Sequence, residues 1–127
     1  MPEEPKRVGL VGHCGFDTSS LTRFVKKTLG HDTVIHAIKS DANIADKACD
    51  VLLINRVLEG RFNAMDGLDL IRQLLRASPD MSAMLISNYE DAQESAEQAG
   101  ARPGFGKRQV GKSIAAERLR DACGIGA

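Results

Sequence analysis

DVLLINRV, residues 50–57, decides the fold of this chain. An acid opens the stretch, Val51 to Ile54 follow without a polar break, and Asn55 and Arg56 close the run. A strand with no alternation is buried on both faces, as in the middle of a parallel sheet covered by helices. The segments on either side support that arrangement. RVGLVG at 7–12, DTVIHAI at 32–38 and MSAMLIS at 81–87 are further short apolar runs, and ARPGFGK at 101–107 is a weak fifth strand because of Pro103 and its glycines.

Helical spacing fills the intervals. Leu21, Phe24, Val25 and Leu29 fall on one face, with Thr18, Ser19 or Ser20 as caps and Gly30 as the stop. ANIADKA at 42–48 predicts a short helix, and Leu68, Ile71, Leu74 and Leu75 mark a third, stopped by Pro79. EDAQESAEQAG at 90–100 predicts a fourth with a thin apolar face of Ala92, Ala96 and Ala99. A fifth starts near Gly111 and places Ala115, Leu119, Ala122 and Cys123 together. Strands alternating with helices call for an α/β fold, a doubly wound five-stranded parallel sheet with helices on both faces. The whole of 1–127 is expected to form one domain, with its core over about 6–123.

Lys plus Arg and Asp plus Glu each number 17, so the formal net charge is zero. That balance argues against a nucleic-acid surface, which carries a basic excess. No apolar run reaches membrane-spanning length, and the polar start MPEEPKR lacks a signal-peptide core. Three scattered cysteines, Cys14, Cys49 and Cys123, do not suggest a disulfide framework. The expectation is a cytoplasmic protein with no membrane or nucleic-acid partner.

In a doubly wound sheet a site forms at the carboxyl ends of the strands. There stand Gly12, His13 and Cys14 after the first strand, Asn55 and Arg56 after the third, Ser87 and Asn88 after the fourth, and Lys107 after the fifth. GFGKRQVGKS at 104–113 also spells G-x-x-x-x-G-K-[ST], the phosphate-cradling loop. That loop belongs after the first strand of its sheet, whereas here GFGK ends the fifth strand and GKS opens the last helix. The spelling is accidental. His13 beside Cys14 lacks a partner pair at zinc spacing, so no metal site is expected.

DVLLINRV…MDGLDLIRQL, MLISNYED and AGARPGFGK together resemble the receiver domain of two-component response regulators, from about Lys6 to Cys123. The resemblance implies the CheY-like strand order 2-1-3-4-5. It matches Ser87 at the end of strand four and Lys107 at the end of strand five, with Gly100 and Ala101 ahead of the lysine. It also implies departures. The family's phosphoacceptor is an Asp where this chain has Asn55, and its acidic pair for Mg²⁺ is replaced by Gly12 and His13. A neutral amide is no anionic nucleophile, and Mg²⁺ wants charged oxygens. The loop between Asn55 and MDG at 65–67 is longer than usual, Gly104 stands where the switch aromatic belongs with Phe105 next door, and Arg108 replaces the usual Pro.

The expectation is therefore a degenerate pseudo-receiver, not an enzyme, with Mg²⁺ binding lost and no cofactor. It would act through protein partners at the surface of helix four, strand five and helix five, and a homodimer is compatible with this. Lys107 would face neutral Asn55, Ser87 and His13 with Arg56 nearby, and a buried ammonium needs compensation. Either Asp17, Glu59 or Asp66 folds in, or a small anion sits in the pocket. The second alternative would make the chain an anion or small-molecule binding domain. Cys49 and Cys123 read as ordinary thiols, and His31 and His36 as turn and strand residues.

Overall fold

In the computed structural model of this chain, residues 4–44 and 47–125 are described. The strands are β1 (Arg7–Val11), β2 (Val34–Ile38), β3 (Val51–Asn55), β4 (Ala83–Ile86) and β5 (Arg102–Phe105). The helices are α1 (Gly15–Leu29), α2 (Gly67–Ala77), α3 (Glu90–Gln98) and α4 (Ser113–Ala122). All strand pairs are parallel, in the order β2-β1-β3-β4-β5. This is the expected doubly wound sheet.

The unbroken apolar run of β3 divides between the two faces. Val51 and Leu53 join Val8, Leu10, Phe24, Phe105 and Leu119 on the α1 and α4 side. Leu52 and Ile54 join Val11, Ile38, Leu70, Ile71 and Leu85 on the α2 and α3 side. Each fully buried aliphatic side chain contributes about 1.5–3 kcal/mol, which is why β3 tolerates no polar residue before Asn55.

Three local expectations need correction. Where a helix is predicted over 42–48, the described residues form a 3₁₀ turn at Asp41–Asn43, capped by the Ser40 hydroxyl, and Ala45 and Asp46 lie outside the described residues. Ile44, directly after that turn, is buried. Helix α1 starts ahead of the predicted caps, because Cys14 is its N-cap and its sulfur accepts the Asp17 N–H at 3.4 Å. The last helix begins at Ser113 rather than near Gly111.

The fourth predicted helix is α3, and its apolar face is as thin as its sequence indicates: only Ala96 is buried. The weak fifth strand forms at the edge of the sheet, with Pro103 exposed. Opposite Met84 to Ile86 it runs from Arg102 to Phe105, one residue more, so β5 carries a bulge.

Candidate functional site

Residues from the ends of β3, β4 and β5 meet in a cavity of about 150 Å³ whose lining includes Asn55, Arg56, Val57, Ser87, Tyr89 and Lys107, but not Gly12, His13 or Cys14 from the end of β1. Asn55 is buried at the end of β3. Its Nδ2 donates to the Gly12 carbonyl at 3.1 Å and to the Val57 carbonyl at 2.7 Å. Two acceptors facing one amide fix its orientation, since the reversed amide would set oxygen against oxygen.

Gly12 has φ +74°, and a Cβ there would lie 2.7 Å from Leu58 Cδ2. No side chain, acidic or otherwise, fits without displacing the loop. His13 is wholly buried beneath the site, and its Nε2–H donates to the Leu53 carbonyl at 2.8 Å while Nδ1 has no partner. Burial pushes its pKa down from 6.5 to about 4, against the pull of the Leu53 hydrogen bond. It is a neutral imidazole at neutral pH.

Ser87 is buried at the end of β4, and its hydroxyl accepts the Tyr89 N–H at 3.1 Å. Lys107 follows β5 in a 3₁₀ turn, and its Nζ lies 2.5 Å from Asp17 Oδ2. Its side chain is 42% exposed, so it is not the buried ammonium the sequence suggested. The Lys107 hydrogen bond holds the Asp17 carboxyl below its ordinary pKa, against a smaller opposing effect of burial. None of the three acids lines the cavity: Asp17 reaches it only through Lys107. Asp66 caps α2 by accepting the Asp69 N–H at 2.8 Å, and Glu59 is exposed, its backbone N–H donating to the Gly12 carbonyl at 2.9 Å. Arg56 lies over the Tyr89 ring, 4.9 Å from its centroid.

The long β3–α2 loop accounts for this arrangement. It arches over the ends of β1 and β2: besides Glu59, the Arg61 N–H donates to the Lys39 carbonyl at 2.7 Å and the Asn63 N–H to Asp41 Oδ1 at 2.8 Å. Ser40 and Arg61 form an isolated parallel bridge there. Lys39, absent from the sequence reading, donates its Nζ to the His13 carbonyl. Its signal was its place as the first charged residue after the second strand, the one strand end left uninspected.

The bulge in β5 explains the displaced aromatic. Phe105 is fully buried and packs edge-to-face on Phe24, with centroids 5.5 Å apart. Gln93 of α3 fills the gap in the ladder, its Nε2 donating to the carbonyls of Leu85 at 2.8 Å, Ser87 at 3.1 Å and Phe105 at 3.4 Å. A Cβ at Gly104 would run into the Leu85 carbonyl. Gln93 stands outside the alanine face that the sequence predicts for this helix.

The Mg²⁺ ion that the receiver resemblance implies does not suit these residues. No carboxylate lines the cavity, Gly12 has no room for one, and Asn55 presents hydrogens where a metal needs oxygen.

Comparison with protein-family models finds no match, and comparison with curated proteins finds none. Solved structures do resemble the chain. The signal receiver domain of the DNA-binding response regulator merR from Colwellia psychrerythraea 34H is 14% identical, with TM-score 0.68 over 93% of this chain and 97% of that one. A response regulator from Thermotoga maritima is 16% identical, with TM-score 0.74 over 95% and 99%. The CheX–CheY–BeF₃–Mg²⁺ complex from Borrelia burgdorferi matches at 15% identity and TM-score 0.70, over 92% and 88%. At these identities the likeness is one of architecture, and the chain has the fold of response-regulator receiver domains.

Proposed function

We propose that this chain is a signal-transduction module of receiver type that acts through protein contacts and is not phosphorylated on an aspartate. The observation that carries the proposal is Asn55: at the end of β3 stands a neutral amide whose two hydrogens are already committed to the Gly12 and Val57 carbonyls. An acyl phosphate needs a carboxylate nucleophile and a metal ion held by further carboxylates, and the cavity lining has no carboxylate for either task. In this reading the chain is not an enzyme, takes no metal, and works in the cytoplasm; no described helix is long and apolar enough to cross a membrane.

The partner surface is the groove between α3 and the β5–α4 edge, of about 770 Å³. Glu90, Glu94 and Glu97 of α3 line it, together with Tyr89, Arg108 and Arg118. Among the described residues no ion pair joins these charges; Arg118 donates to the Gly104 carbonyl at 2.6 Å, and the three glutamates are left for an incoming chain. Protein contact is also what the Borrelia CheY structure records, as a complex with CheX.

The test is incubation with Mg²⁺ and acetyl phosphate followed by intact-mass measurement. The native chain is expected to gain no phosphoryl group, and a stable adduct would overturn the proposal. A second reading, a small-anion site, draws support from the cavity having two cations, Arg56 and Lys107, and no acid in its lining. The Asp17 carboxylate on Lys107 weighs against it.

A further inference from the structure

Three carbonyl oxygens from the two loops crossing the end of β1 are met by nitrogen donors. The Gly12 oxygen accepts from Asn55 Nδ2 and the Glu59 N–H, the Val57 oxygen from Asn55 Nδ2, and the His13 oxygen from Lys39 Nζ. Carbonyl oxygens gathered at a strand end need a positive partner, supplied by a cation or by N–H groups. A divalent ion would be held by such oxygens together with carboxylates. Here the amide of Asn55 spends both its hydrogens and Lys39 adds a full charge.

We infer that Asn55 and Lys39 replace a divalent cation, tying the β1–α1 and β3–α2 loops together with the protein's own donors. The inference rests on the receiver-like reading of the site. Asn55 is thereby a positioning residue with a present task, which a passive remnant would not have. The long loop completes the device: it seats Leu58 against Gly12 and delivers the Glu59 N–H, so the space an acidic side chain at residue 12 would need is already taken.

The experiment is thermal unfolding in EDTA and in millimolar Mg²⁺, without any phosphoryl donor, so its outcome is independent of the mass test above. The native chain is expected to melt at the same temperature in both. Asn55→Asp is expected to melt lower by about 5 °C in EDTA, because its carboxylate faces two carbonyls in place of two hydrogen bonds, and to recover in Mg²⁺. Asn55→Asp combined with Lys39→Met is expected to recover at a several-fold lower Mg²⁺ concentration, since the competing ammonium is gone. Asn55→Ala is expected to melt lower in both buffers with no Mg²⁺ response. A native chain stabilised by Mg²⁺ overturns the inference, as does an Asn55→Asp chain that matches the native one in EDTA or ignores Mg²⁺. If Asn55→Asp does not fold in EDTA, refolding on addition of Mg²⁺ reads out the same two outcomes.

Discussion

Lys107 and Asp17 stand 90 residues apart in the chain, yet Nζ and Oδ2 meet at 2.5 Å above the ends of β1 and β5. This contact neutralises one of the two cations that line the cavity and joins the start of α1 to the turn after β5. The Lys107 side chain is 42% exposed, so the pair contributes at most about 1 kcal/mol, and less in high salt. Its larger effect is on what the cavity attracts.

Asp17→Asn should therefore convert the cavity into an anion site. Tyr89 is the only tyrosine, the chain has no tryptophan, and Tyr89 lines the cavity, so its emission reports occupancy directly. Titration with sulfate should leave native emission without a saturable change and produce one in Asp17→Asn. Adding Arg56→Ala should abolish it. Saturable binding to the native chain would favour the small-anion reading.

His13 makes stability depend on pH. Its folded pKa of about 4 lies below the 6.5 of the unfolded chain, so between those values the unfolded state binds the extra proton. Stability from this residue is complete above pH 6.5 and falls as pH drops toward 4, by about 3 kcal/mol in all. Urea unfolding across that window should show the slope. His13→Gln, which keeps a donor for the Leu53 carbonyl, should remove most of it; His36, its pKa also lowered by burial, leaves a residual.

Gly12→Asp, the simplest attempt to give back an acid after β1, should fail. Positive φ and the Leu58 side chain both oppose a Cβ, at a combined cost above about 2 kcal/mol. Leu58→Ala in the same chain should recover part of the loss by relieving the clash. Equal stability of Gly12→Asp and the native protein in urea would mean that the loop yields more easily than its contacts indicate.

Gln93→Leu should loosen α3 from the sheet. It removes the amide that donates to the Leu85 and Ser87 carbonyls, a loss of about 1–3 kcal/mol, while the Phe105 carbonyl keeps the Ser87 N–H. Hydrogen exchange should speed up over α3 and β5 while β1 and β3 stay protected. A uniform change across the sheet would mean that Gln93 supports the whole core instead.

The sheet was legible because β3 and β4 are unbroken apolar runs, with Asn55 and Ser87 standing where each run stops. The tight 3₁₀ turn at Asp41–Asn43 was not, since it is set by the Ser40 cap and not by any apolar spacing. Nor could spacing reveal that Lys39 reaches His13, or that Asn55 bridges Gly12 to Val57. Those contacts depend on the path of the long loop, set by Leu58, Glu59 and Arg61 against residues up to 47 positions earlier (Glu59 to Gly12). Cys14 escaped notice as a cap because sulfur is an uncommon choice beside Ser and Thr.

The extra residue in β5 also bears on how the molecule behaves in a crowd. An outermost strand offers its free backbone edge to any chain that can extend the sheet, the usual start of aggregation. Here that edge is four residues long, holds an exposed Pro103 with no N–H to give, and is bent out of register by its bulge. On this side the sheet is a poor template for another strand, so contacts here depend on the side chains of the neighbouring helices.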